Sequence, residues 1–129
     1  DSSGATKRSL ALVHKTLSIL NYYAPRVWAI ENPMTRMHKL VPELGSPRLK
    51  FHPWHYGALA DSPEDYYKET WLWGDFVAPE RAEVVPETRD KNGHGKIGRA
   101  WNAPRGTWAE LRSKTPQGFA RAFAKANKE

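Results

Sequence analysis

The run Val27-Trp28-Ala29-Ile30 breaks abruptly into Glu31, Asn32 and Pro33, and no other stretch of the chain constrains its architecture as tightly. A short apolar run of this kind reads as a β-strand over residues 27–31. Proline then fixes φ and forces the chain out of the strand, so the two polar side chains are expected on a defined corner. The carboxyl end of a strand in an open α/β sheet is where ligand-binding groups collect. Glutamate can accept or deliver a proton, and the asparagine amide both donates and accepts. Side by side they suit recognition and protonation of a heteroaromatic ring. The plainer alternative is a strand that stops at a polar turn.

What precedes this run has helical period. Leu10, Val13, Leu17 and Leu20 recur at three and four residues, which predicts a helix over about 7–22, capped by Thr6 and ended by Pro25. The small polar stretch Asp1–Ala5 reads as a loop and as the opening of a piece of a longer protein. A helix leading directly into a strand is an αβ step, and repeated steps of that kind predict a partly parallel sheet. Residues 34–47 read as a loop with one helical turn around Met37–Leu40. Leu49-Lys50-Phe51-His52 begins a second strand that Pro53 limits. After the acidic turn 61–65, Lys68-Glu69-Thr70-Trp71-Leu72-Trp73 reads as a third strand stopping at Gly74, paired with the second as an antiparallel hairpin. Residues 77–106 hold four of the nine glycines and the basic residues Arg89, Lys91, Lys96, Arg99 and Arg105, and read as an irregular basic loop. Thr107–Glu110 has capping-box spacing for a short helix. Thr115-Pro116 starts a last helix with the stripe Phe119, Ala122, Phe123 and Ala126.

Composition narrows the function. The chain has 129 residues, the size of a single domain or fragment, and 40% hydrophobic residues, enough for a modest core. A formal charge of +6 makes nucleic acid the first partner to consider. With no cysteine there is no disulfide framework, no zinc ribbon and no thiolate nucleophile within the chain. No apolar run reaches the roughly 18 residues of a membrane span, so the expected setting is soluble and cytoplasmic, without a membrane partner. His52 and His55 lie three apart without an obvious third ligand, so no metal site is expected.

Taken in order, these pieces resemble the C-terminal half of the cytosine-5 DNA methyltransferases, in particular the compact phage and prophage forms associated with restriction-modification. The resemblance rests on Glu31-Asn32 after a helix, with Pro33 where many members have valine; on the aromatic-glycine pair Tyr56-Gly57; on Lys68 to Gly74, similar to the phage form of the strand that returns antiparallel; and on Arg112-Ser113-Lys114-Thr115-Pro116 before the final helix. It implies an α/β, partial Rossmann-like class I methyltransferase fold whose first half of the sheet is missing from this chain. It also implies residues 77–106 in the place of a reduced target-recognition region, and S-adenosylmethionine as cofactor, bound through the missing N-terminal half. Thr115 and Pro116 then belong to a motif that packs near that cofactor. The family's glycine-rich cofactor loop and Pro-Cys nucleophile are not in the sequence, and only Lys68 and Thr70 stand where the family has Gln-x-Arg-x-Arg. The missing half, or a complementary subunit, becomes an expected partner beside DNA, and the chain alone is expected to be inactive.

The chemistry assigns roles within that resemblance. Methylation at carbon 5 of cytosine requires attack at carbon 6 and a proton delivered near ring nitrogen 3. Glu31 is the expected acid, with Asn32 reading the edge of a base taken out of the duplex. An ordinary glutamate, with a pKa of about 4.3, is a poor acid at neutral pH. The assignment therefore predicts burial that raises it. Arg36, Lys39, Lys68, Thr70, Arg89, Lys96 and Arg99 are expected DNA contacts, with Trp101 the tryptophan best placed for one, whereas Trp71 and Trp73 are expected in the core. The competing expectation is a small basic nucleic-acid-binding or partner-completing module without catalysis, which needs no buried Glu31.

Overall fold

A computed structural model describes residues 2–33, 37–86 and 114–128. Helix α1 spans Ser2–Tyr23, strand β1 Trp28–Pro33, the one-turn helix α2 Met37–Leu40, strand β2 Leu49–Phe51, strand β3 Thr70–Asp75 and helix α3 Gln117–Asn127, with 3-10 segments at Pro42–Leu44 and Pro53–Leu59. The strands form one sheet in the order β1-β3-β2, with antiparallel neighbours. The third strand therefore returns between the other two. A partly parallel sheet, expected from the αβ step, is not found among the described strands. Parallel neighbours need a crossover of a dozen or more residues, usually a helix, and β3 instead pairs antiparallel on both sides.

Two local expectations are corrected. Ser2–Ala5 is helical rather than loop, so Thr6 lies inside α1 and does not cap it. β1 runs on through Glu31 and Asn32 to Pro33, placing the polar pair within the strand rather than on a corner after it. Proline is tolerated there because β1 is an edge strand of the described sheet. Among the described residues no helix is long and apolar enough to cross a membrane.

The chain divides into two compact units, Asp1–Leu49 with Trp71–Phe76, and Lys50–Thr70 with Val77–Glu129. In the first, Val41, Leu72, Trp73 and Phe76 are buried. The Trp73 indole donates to the Gly45 carbonyl at 3.0 Å, supplying the partner that a buried indole N–H needs. Arg48 donates from Nε to the Phe76 carbonyl at 2.8 Å, and its guanidinium carbon lies 5.4 Å from that ring's centroid. Gly74, at φ 148°, is required by close approach, since a Cβ there would collide with the Trp28 carbonyl. The C-terminus of α1 is closed by Ala24 at φ 46°, whose N–H donates to the Leu20 carbonyl at 2.8 Å, immediately before Pro25.

In the second unit an aromatic cluster forms the core. Phe51 stacks on Phe119 with centroids 4.2 Å apart, and Tyr56 meets both rings edge-on. As the helical stripe requires, Phe119 and Ala122 of α3 are buried and Phe123 and Ala126 half-buried. Asn127 closes α3 by accepting from the Val77 N–H at 2.7 Å and donating to the Val77 carbonyl at 2.9 Å. Residues 77–86 form no regular element, yet they are anchored. Ala82 exchanges main-chain bonds with His55 and Ala58, and the Val84 N–H donates to the Trp54 carbonyl at 2.9 Å. The remainder of the expected basic loop, and the capping box at 107–110, lie outside the described residues.

Candidate functional site

Unit one carries the Glu31-Asn32 pair. β-strand alternation sends the two side chains to opposite faces, and Glu31 is exposed while Asn32 is half-buried. The burial expected of a general acid is thus not supplied by the described chain. Lys39 of α2 is exposed, as a phosphate contact must be. Arg36, Arg89, Lys96, Arg99 and Trp101 lie outside the described residues.

Unit two holds the rest. Its 3-10 segment Pro53–Leu59 begins immediately after His52, and the two histidines spaced three apart are oriented by main-chain donors. The His52 N–H donates to His55 Nδ1 at 3.2 Å, and the Lys68 N–H donates to His52 Nδ1 at 2.9 Å. An Nδ1 that accepts leaves the ring proton on Nε2. Burial, reinforced by the charge of Arg81 and the neighbouring His52, lowers the His55 pKa from 6.5 to about 4, which keeps this ring neutral at physiological pH. Tyr67 meets the His52 ring edge-on at 5.2 Å, and the tyrosine beside it, Tyr66, is pushed up to about 12 by burial and then by the Glu64 charge. Among the described residues the Trp54 indole N–H is buried without an acceptor.

Lys68 is half-buried at the approach to β3. Thr70 is 1% exposed, and its hydroxyl donates to the Lys68 carbonyl at 2.9 Å. The expectation that Thr70 touches DNA is corrected on that ground: a side chain closed to solvent cannot meet a phosphate, and its one donor is taken. Trp73 is in the core as expected, whereas Trp71 is only half-buried, its ring 6.1 Å from that of Trp73.

Thr115 and Pro116 stand before α3. Thr115 is exposed and Pro116 is buried at the helix N-cap. The first N–H groups of this helix are already claimed: the Glu64 carboxylate accepts from Gln117 at 3.0 Å and from Gly118 at 2.8 Å. That satisfies the orphan donors and the helix dipole together, so the amides of Gln117 and Gly118 are not free for an anionic ligand. The same contact explains two glycines. A Cβ on Gly57 would collide with the Glu64 carbonyl, and one on Gly118 with the Tyr56 carbonyl. Beside them Asp61 bonds Arg121 at 2.9 Å and Gln117 at 3.2 Å, and these hydrogen bonds with the Arg121 charge hold its carboxyl below the usual range.

Sequence reasoning missed Glu64, which looked like part of an acidic turn, and His52, which looked like an idle half of a histidine pair. The pairing register was the available signal for His52: extending an antiparallel β2-β3 hairpin by one step sets it opposite Lys68. Glu64 left no local signal, because its partners lie 53 and 54 residues away in sequence. Compared with family models, curated proteins and solved structures, the chain matches none.

Proposed function

We propose that this chain is the C-terminal portion of a phage-type DNA cytosine-5 methyltransferase, which transfers methyl from S-adenosylmethionine to cytosine in DNA and is inactive as this chain alone. The observation that carries the reading is the sheet order. A strand containing Glu31-Asn32 has hydrogen-bonded beside it an antiparallel strand that returns from Lys68 and Thr70. The resemblance implies those motifs in that sequence order, on a strand that returns antiparallel. The steric need for Gly57 gives the aromatic-glycine pair a physical reason as well.

In this reading Glu31 delivers the proton at ring nitrogen 3 while negative charge develops in the ring. Asn32, on the opposite face of β1, does not share that base edge, which corrects the expectation that the pair reads it side by side. The cofactor supplies the methyl group. The chain has no cysteine, so the thiolate that attacks carbon 6 belongs to the missing N-terminal half or to a complementary polypeptide. The exposure of Glu31 fits this only if that polypeptide covers it, which supplies the desolvation a general acid needs. The test is methyl transfer from labelled S-adenosylmethionine to duplex DNA. It compares the chain alone with the chain supplied with a polypeptide carrying a glycine-rich loop and a Pro-Cys pair, encoded upstream or in a neighbouring gene. Activity is expected only in the combination and is expected to fall at least 100-fold with Glu31→Gln. Turnover by the chain alone, or full activity of the Glu31→Gln combination, overturns it.

One observation favours a second reading. Exposed Glu31 on a basic chain is equally the surface of a nucleic-acid-binding module without catalysis. That module binds duplex DNA by itself and gains no methyl transfer from any complementary polypeptide.

A further inference from the structure

Lys68 is held in an unusual way. Both of its main-chain polar groups are bound by side chains: its N–H donates to His52 Nδ1 at 2.9 Å, and its carbonyl accepts from Thr70 Oγ1 at 2.9 Å. Main-chain groups near a strand are ordinarily satisfied by the neighbouring strand's own main chain. β2 ends at Phe51, however, and Pro53 follows one residue later. The His52 ring takes the place of the missing ladder acceptor and carries the pairing to Lys68.

The two holders are themselves fixed. Thr70 is buried. His52 is packed edge-on by Tyr67 at 5.2 Å and by His55 at 5.7 Å, and its own N–H is spent on His55 Nδ1. Rotation of either side chain therefore costs a hydrogen bond as well as packing. Glu69 and Tyr67 flank a lysine that no helix and no strand includes, so these two side-chain bonds are what hold its main chain.

We infer that His52 and Thr70 are positioning residues for Lys68, a side-chain clamp that aims its ammonium at a phosphate of bound DNA. This rests on the reading that the chain contacts DNA. A lysine is a flexible point charge whose ordering on a phosphate costs rotamer entropy. Fixing its main chain beforehand removes the backbone share of that cost. The clamp also accounts for Thr70 in a motif expected to meet DNA: it acts through Lys68 and does not touch the duplex.

The experiment is duplex-DNA binding by the full chain, read as fluorescence anisotropy over a salt series, with far-UV circular dichroism confirming the fold of each variant. Lys68→Ala is expected to weaken binding about three- to ten-fold and to lower the salt slope by about 1, the signature of one phosphate contact. His52→Ala and Thr70→Val are each expected to weaken binding at least three-fold. Neither is expected to add to Lys68→Ala in a double variant, because the three act as one unit. His52→Asn, whose Oδ1 can accept where Nδ1 did, and Thr70→Ser, which keeps the hydroxyl, are expected to restore binding to within two-fold. A general structural role does not produce that pattern of rescue and non-additivity. Wild-type-like binding by His52→Ala and Thr70→Val, with Lys68→Ala weakened, overturns the clamp and leaves the DNA reading standing. No duplex binding by the wild-type chain overturns the two together. Should His52→Ala not fold, the Thr70→Val and Thr70→Ser pair decides.

Discussion

The two long helices teach different lessons about what fixes a helix. α1 has 22 residues, yet Leu12, Ile19, Tyr22 and Tyr23 on it are 50–80% exposed. α3 has 11 residues and is anchored at both ends: Glu64 holds its first amides, Asn127 ties its last turn to Val77, and Phe119 and Ala122 are buried between. Length gives α1 its intrahelical hydrogen bonds, but these four large side chains stay exposed. Specific capture of the termini gives the shorter helix its place.

The sharpest way to break this contrast is Gly57→Ala. The added Cβ meets the Glu64 carbonyl, pushes away the carboxylate-bearing segment and releases α3. We expect a loss of roughly 3 kcal/mol or more in urea melts, a clash of main chain with no room to relax. Asn127→Ala attacks the other end of the helix. Leaving the Val77 N–H and carbonyl without their partner is expected to cost about 1–3 kcal/mol, and hydrogen exchange should quicken first at Val77. Neither change should alter exchange within α1.

A third test uses acidity. His55 is held neutral by burial, so on acidification the unfolded chain takes up a proton at 6.5 before the folded chain does at about 4. Stability therefore falls as pH drops through that window and levels off below it. The loss is on the order of 1 kcal/mol after allowance for solvent screening. Stability of His55→Asn measured across the same window should slope less; an unchanged slope would show that another group is responsible. On α1, the smallest expected effect is a gain: Ala24→Gly relieves a left-handed conformation and should raise stability by about 0.5–1 kcal/mol in thermal or chemical melts.

These contrasts also show which parts of the fold were legible in the sequence. α1, β2 and α3 were readable because their apolar residues repeat at the helical or strand period, β3 because it is rich in aromatic residues, although it runs past Gly74 to Asp75 instead of stopping there, and Met37–Leu40 was found as the single helical turn it is. The segment Pro53–Leu59 was not, since a 3-10 turn has no long period, and its capture of Ala82 and Val84 is made by main chain alone. The end of β1 was misjudged because proline was read as a terminator, whereas an edge strand can carry it. Of the candidate site, the residue types at Glu31, Asn32 and Lys68 were visible in the sequence. Thr70 was assigned to the wrong surface because alternation along β3 does not reveal which face is closed. Its relation to Lys68 depends on a hydroxyl's direction, which no spacing encodes.

The mooring of Ala82 and Val84 on residues 54–58 has one more consequence. Its bonds run between peptide groups and ask almost nothing of side-chain identity, so the residues at Ala82 and Val84 can change while the segment stays in register. Evolution, or an engineer, can therefore rewrite the side chains of this segment without redesigning what holds it.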